Sequence, residues 1–248
     1  MDEGQMSLTG HLEELRGRLF RAIIAIGVGF VAAYGFSEQI VLFVQRPLKS
    51  VAPAVSLNYF SLMEPFITHL KAAFFAGLLL ALPVVFYQIY QFVAPGLLPK
   101  ERRYVVPFVT FGSVFFLFGA ALAFFGVLPF AIQFFLHYDP SLVATLNVGK
   151  YLGFSIRLML AFGVVSQLPL VVFVLARLGL VQYQTMARNR RYALLAAFIF
   201  GAVLTPPDPV TQSLMAVPLL LMYELSVWVA RAFYRPRDLA EEVTSAVS

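Results

Sequence analysis

The sequence predicts an all-α membrane protein of six transmembrane helices with both ends in the cytoplasm. Three observations predict it: an apolar excess, six apolar runs, and a lopsided placement of lysine and arginine. Of 248 residues, 60% are hydrophobic and 12% charged, with a mean hydropathy of +0.82. A soluble domain carries about 25% charged residues, so this chain has too little polar surface to cover a globule. A single membrane domain over 1–237, followed by a polar and disordered cytoplasmic tail over 238–248, fits the length.

The runs, in order, are Leu19–Phe36, Leu70–Phe92, Tyr104–Leu128, Leu152–Ala176, Ala193–Leu204 and Leu214–Ala230. A hydrocarbon layer about 30 Å thick needs around 20 helical residues, and the first four runs approach or exceed that. The fifth run reaches only about 18 Å at 1.5 Å per residue, so the last two helices are expected as a short hairpin. Between the first two spans, Ile40, Val41, Phe43 and Val44 predict a short helix on the outer surface. Ser61-Leu-Met-Glu64 has the form of a capping box opening the second span.

Orientation follows from the cations. Arg16, Arg18, Arg21, Lys100, Arg102, Arg103, Arg177, Arg188, Arg190, Arg191, Arg231, Arg235 and Arg237 are 13 of the 18 basic residues, and all flank one face. Arg46, Lys49, Lys71, Lys150 and Arg157 fall toward the other. The positive-inside rule places the larger set, and both termini, in the cytoplasm. No small-residue cleavage pattern follows the first run, so no cleaved signal peptide is expected. The basic residues sit between apolar runs rather than on one continuous face, so the net charge of +5 points to membrane orientation and not to nucleic acid.

Enzymatic signals are missing. With no cysteine, disulfides, thiolate metal sites and cysteine nucleophiles are excluded. No Walker A, Gly-x-Ser-x-Gly or His-Glu-x-x-His pattern occurs, and His11, His69 and His137 are scattered, so no catalytic residue, metal or cofactor is assigned.

Four features carry chemistry. His11-Leu-Glu-Glu14-Leu-Arg16-Gly-Arg18 leads into span one, with Leu8, Leu12, Leu15 and Leu19 at helical spacing. Glu14 and Arg18, at i and i+4, suit a local ion pair. In Phe92-Val-Ala-Pro95-Gly-Leu-Leu-Pro99-Lys-Glu101-Arg-Arg103, Pro99 and Glu101 suit a helix first turn. Yet Glu14 and Glu101 share a membrane face, and two carboxylates there can receive guanidinium groups in a bidentate fork that lysine cannot reproduce. In Leu204-Thr-Pro-Pro-Asp208-Pro-Val-Thr-Gln212, Asp208 reads as a helix N-cap. Within the spans, Gln167 and Glu224 are polar at a costly depth. Gln167 serves either an interhelical hydrogen bond or the docking of a partner helix, and Glu224 is either functional or extended toward the interface.

Taken in order, these motifs resemble the TatC family, the core component of the twin-arginine protein translocase. The resemblance also rests on Pro47-Leu48, Ser61-Leu-Met-Glu-Pro-Phe66, Tyr87-Gln-x-Tyr-Gln-Phe92 and Tyr223-Glu224. It implies six helices in a cupped, glove-like wall with a short final pair. It implies a receptor and assembly platform in the cytoplasmic (inner) membrane that exports folded proteins with the proton gradient as energy source. Glu14 and Glu101 then match the acids that receive the paired arginines of a signal peptide, with Arg16, Phe92 and Arg103 as neighbours. Pro47, Asp208 and Gln212 match structural or outer-loop positions. Implied partners are twin-arginine signal peptides and the single-span TatA and TatB proteins, in an oligomer of heteromeric complexes. Some family members carry glutamate where this chain has Gln167, and glutamine exchanges no proton. The alternative is a secondary transporter or channel for a small solute, which calls for ionisable midplane residues that are nearly absent here.

Overall fold

The amphipathic leading segment and the first apolar run fuse into one helix, α1 (Leu8–Tyr34), because no proline interrupts residues 8–34. The computed structural model describes residues 8–94, 105–138, 144–177, 179–204 and 209–234. Glu101, Arg103, Asp208 and the tail 238–248 lie outside the described residues. The chain divides into two compact units, residues 1–164 and 165–248.

In the first unit, α1 is followed by α2 (Ser37–Val44), α3 (Arg46–Val51), the two-residue strand β1 (Leu57–Asn58) and α4 (Glu64–Val93). α1 and α4 run antiparallel. They cross where Gly29 faces Gly77: a Cβ built on Gly77 would lie 2.4 Å from the Phe30 nitrogen, and one on Gly29 2.5 Å from the Gly77 oxygen. Small residues four apart, Gly29 and Ala33 on α1 and Ala73 and Gly77 on α4, are the buried faces of the contact. In a bilayer, where apolar surface alone does not drive helices together, such residues let backbones approach and gain packing. The leucines Leu12, Leu15 and Leu19 stay exposed, so the leading stripe is an outward face rather than a core face.

The short outer helix is two helices, and it packs inward. Val44 and Leu48 are buried, Tyr151 donates its hydroxyl proton to the Val44 carbonyl (3.0 Å), and Phe43 stacks on Phe124 at 4.8 Å. Pro47 is buried near the start of α3, and its carbonyl accepts the Ser50 hydroxyl at 2.9 Å. The capping box at Ser61 forms only in part. No side chain caps α4 from the N-cap residue Met63, while Glu64 reaches back to accept the Phe60 N–H (2.9 Å) and across to accept that of Gly149 (2.8 Å).

The third apolar run extends about ten residues beyond its expected end, as α5 (Val105–Leu122), a π-helical turn (Ala123–Val127) and α6 (Leu128–Tyr138). Pro129 accounts for the wide turn: it lacks an N–H and its ring clashes with the carbonyl four residues back, so the preceding turn opens. Strand β2 (Leu146–Asn147) then pairs in parallel with β1, Leu57 opposite Leu146, and leads into α7 (Val148–Val165). Asn147 caps α7, its Oδ1 accepting the Lys150 N–H at 2.7 Å. Phe86 of α4 lies over Gly112 of α5, and Phe116 of α5 over Gly163 of α7. Buried serines bond back one turn, as Ser113 does to Val109 O and Ser155 to Tyr151 O, which satisfies them without breaking the helix.

The second unit holds α8 (Leu168–Arg177), α9 (Tyr183–Arg188), α10 (Arg190–Leu204) and α11 (Pro209–Phe233). Val172 and Ala176 of α8 bury against Ala230 of α11, and Ala197 of α10 against Ala216 and Leu219. α10, at 15 residues, rises about 22 Å and stays short of a bilayer. α11 does not. It runs 25 residues, so the expected short final pair reduces to one short helix beside one of full length, because the helix begins at Pro209, ahead of the apolar run, and ends past it. Five helical stretches among the described residues are long and apolar enough to cross a membrane.

Candidate functional site

Glu14 sits in the second turn of α1, half-buried, with Arg18 one turn on. The Arg18 Nε donates to Glu14 Oε1 at 2.9 Å and its Nη2 donates to the same oxygen. Glu14 Oε2 is shielded from solvent and has no hydrogen-bond partner among the described residues. The carboxylate therefore has one oxygen held in place and one still able to accept. Arg16 projects elsewhere, its guanidinium 5.8 Å from the centre of the Phe20 ring.

The Gly29 and Gly77 crossing sets which part of α4 stands level with Glu14. Glu14 lies 15 residues before Gly29 and Phe92 lies 15 residues after Gly77. Along antiparallel helices of equal rise these offsets match. Phe92 is half-buried at the end of α4. The helix pair thus carries Glu14 and Phe92 toward the same end of the unit, with Pro83 inside α4 between Gly77 and Phe92, while Glu101 and Arg103 fall outside the described residues.

The other polar candidates are in the second unit. Gln167 stands at the turn before α8, partly buried, and its carbonyl accepts the Val171 N–H at 2.9 Å. Glu224 meets Arg190 in a two-point fork: Nε to Oε1 at 2.7 Å and Nη2 to Oε2 at 2.8 Å. This pairing joins α10 to α11 and neutralises the Glu224 carboxylate. Arg190, read from the sequence only as an orientation charge, belongs to that pair; 34 residues separate the two, beyond any local spacing signal. Gln212 also ties α10 to α11, its Nε2 donating to the Phe198 carbonyl at 2.8 Å, beside Gly201 where a Cβ would crowd it at 3.3 Å.

Comparison with known proteins decides the family. The family profile described as Sec-independent protein translocase protein (TatC) matches residues 10–218.

The chain belongs to the TatC family.

It is 42% identical over 243 residues to the Sec-independent protein translocase protein TatC of Desulforapulum autotrophicum, covering 97% of this chain and 90% of that protein. It is 32% identical over 250 residues to TatCy of Bacillus subtilis, covering 100% and 98%. Among solved structures, it matches a twin-arginine translocase receptor, TatC, with a TM-score of 0.82 at 35% identity, over 91% of this chain and 100% of that one. This TatC family member is accordingly a multi-pass membrane component of Sec-independent protein translocation and not an enzyme.

Proposed function

We propose that this chain is the receptor for twin-arginine signal peptides and the platform on which the export complex assembles. The observation that supports the reading is the Glu14 carboxylate, with one oxygen anchored by Arg18 and the other shielded and without a partner among the described residues, at the end of the unit where α1 begins. One signal arginine pairs with Glu14 and its neighbour with Glu101, with Arg16, Phe92 and Arg103 around them. A charge-assisted hydrogen bond at a partly desolvated site is worth about 1.5–3 kcal/mol, so one such bond to the open oxygen of Glu14 and a fork at Glu101 suffice for arginine over lysine.

In this reading the six spans carry both termini in the cytoplasm, with α10 as the short fifth span, and Asp208 at the outer bend before α11. Single-span TatA and TatB proteins dock along the second unit, on the side that carries Gln167, while Glu224 is held by Arg190. The proton gradient supplies the energy without proton exchange at Gln167.

Export in cells lacking their own TatC family protein tests this. A folded reporter behind an Arg-Arg signal should be exported when this chain is supplied with TatA and TatB, and the Lys-Lys signal or Glu14→Ala should stop it. Export that survives Glu14→Ala contradicts the receptor site. Because the chain has no cysteine, single cysteines at Glu13 and Leu57 report sidedness: impermeant labelling from outside at Leu57 alone is the expected result, and labelling at Glu13 alone overturns the orientation.

A further inference from the structure

Within the first unit, a cleft of about 930 Å³ opens between α4 and α7, with Phe30 of α1 on its wall. Lys71, Lys150 and Arg157 all line it. Lys71 is seven residues into α4 and Arg157 nine residues into α7, so they lie about 10 and 14 Å along their helices. All three are exposed, and cations at the ends of apolar spans are costly unless they meet an anion or water.

The protein supplies too little. The carboxylate lining the cleft, Glu64, accepts the Phe60 and Gly149 amides. The ion pairs among the described residues are Glu14 with Arg18 and Glu224 with Arg190, and neither involves the three cations. Arg157 spends its Nε on the Gly153 carbonyl at 3.0 Å, which leaves its terminal nitrogens for another acceptor. Thr68, only 2% exposed, lines the same cleft, and its hydroxyl has no partner among the described residues. Space is available, because a Cβ on Gly153 would meet nothing within 4 Å.

We infer that this cleft binds an anionic phospholipid, its phosphate held by Lys71, Lys150 and Arg157 and an acyl chain lying along Phe30 and Phe74. Charge complementarity selects the headgroup. The aromatic wall, Phe30 and Phe74 with centroids 6.5 Å apart, selects a ligand with a hydrocarbon part, which free phosphate lacks. The inference stands apart from the signal-receptor reading; only the leaflet, the one facing outward, depends on the proposed orientation.

The test is native mass spectrometry of the purified full chain in detergent, titrated with phosphatidylglycerol, phosphatidylcholine and inorganic phosphate. Phosphatidylglycerol should bind at least about tenfold tighter than phosphatidylcholine, and the Lys71→Gln, Lys150→Gln, Arg157→Gln triple variant should weaken it about tenfold or more. Gly153→Leu, which fills the cleft and keeps the charges, should weaken it too, whereas Lys71→Arg, Lys150→Arg, Arg157→Lys should retain it and Lys49→Gln should change nothing. Wild-type affinity in both the triple-glutamine and Gly153→Leu variants overturns the site. So does displacement of the lipid by millimolar phosphate, which would mark a free-anion site, or an equal loss in Lys49→Gln, which would mark general surface charge.

Discussion

Gly29 and Gly77 meet backbone to backbone, with a Cβ on either one falling within 2.5 Å of the other helix's main chain. This contact fixes the register of α1 against α4 at the crossing and with it the end of the unit to which α1 carries Glu14. A side chain at the crossing displaces the candidate site even though it lies about 22 Å away along the helix.

The first prediction follows from what has to move. At Gly77 the obstacle is backbone, which cannot rotate aside, so Gly77→Ala should destabilise the protein by about 2 kcal/mol or more, within or above the range for overpacking. Gly163→Ala should cost less, because it meets the Phe116 ring, and adding Phe116→Leu should recover part of the loss. Gly17→Ala, with nothing within 4 Å, should be neutral or mildly stabilising. Thermal unfolding in detergent ranks the three, and equal effects at Gly17 and Gly77 would dismiss the close crossing.

Arg190 and Glu224 should be coupled. Their side chains are 55% and 41% exposed, so solvent screening limits the pair to about 1 kcal/mol despite its fork geometry. In a double-mutant cycle of Arg190→Gln and Glu224→Gln, the coupling energy should be near that figure, and the reversed pair, Arg190→Glu with Glu224→Arg, should recover most of it. Strict additivity would show that the fork contributes nothing to holding α10 on α11.

Glu64 joins the start of α4 to the start of α7 through two backbone amides. Glutamine has one carbonyl oxygen and cannot accept from both in the same way. Glu64→Gln should therefore accelerate amide hydrogen exchange at Phe60 and Gly149 by about fivefold or more, while amides in the middle of α4 keep their rates. Unchanged protection at both residues would assign the link elsewhere, to the β1 and β2 pairing.

Span positions were legible because hydropathy is additive along the chain: the helical cores of α4, α5, α7 and α11 fall on the apolar runs. Their ends were less so. The fusion of the leading segment with the first apolar run depends on the absence of a breaker, and the extension of the third span through α6 was not legible, because Pro129 widens the helix rather than ending it here. Pairing across the fold was not legible. A glycine in an apolar run looks like any small residue until its neighbour is known, so Gly29 and Gly77 carried no signal beyond their four-residue spacing to Ala33 and Ala73. Arg190 and Glu224, on different helices, had no periodicity to link them. The Glu14 and Arg18 pair was legible because both partners lie one turn apart on one helix. Lys71 and Arg157 were visible as cations near span ends, but only their convergence with Thr68 on one cleft shows that they share an environment.

Acidic groups at the end of the unit where α1 begins should recognise paired arginines. The most direct measurement is the affinity of the purified protein for a peptide with two consecutive arginines, set against the same peptide with two lysines. It is repeated on Glu14→Ala and Glu101→Ala. A preference for arginine of about tenfold or more is expected, lost in either variant and kept in Arg190→Gln, in the other unit. Equal binding of the two peptides to the unaltered protein, or a preference that survives Glu14→Ala, would contradict it.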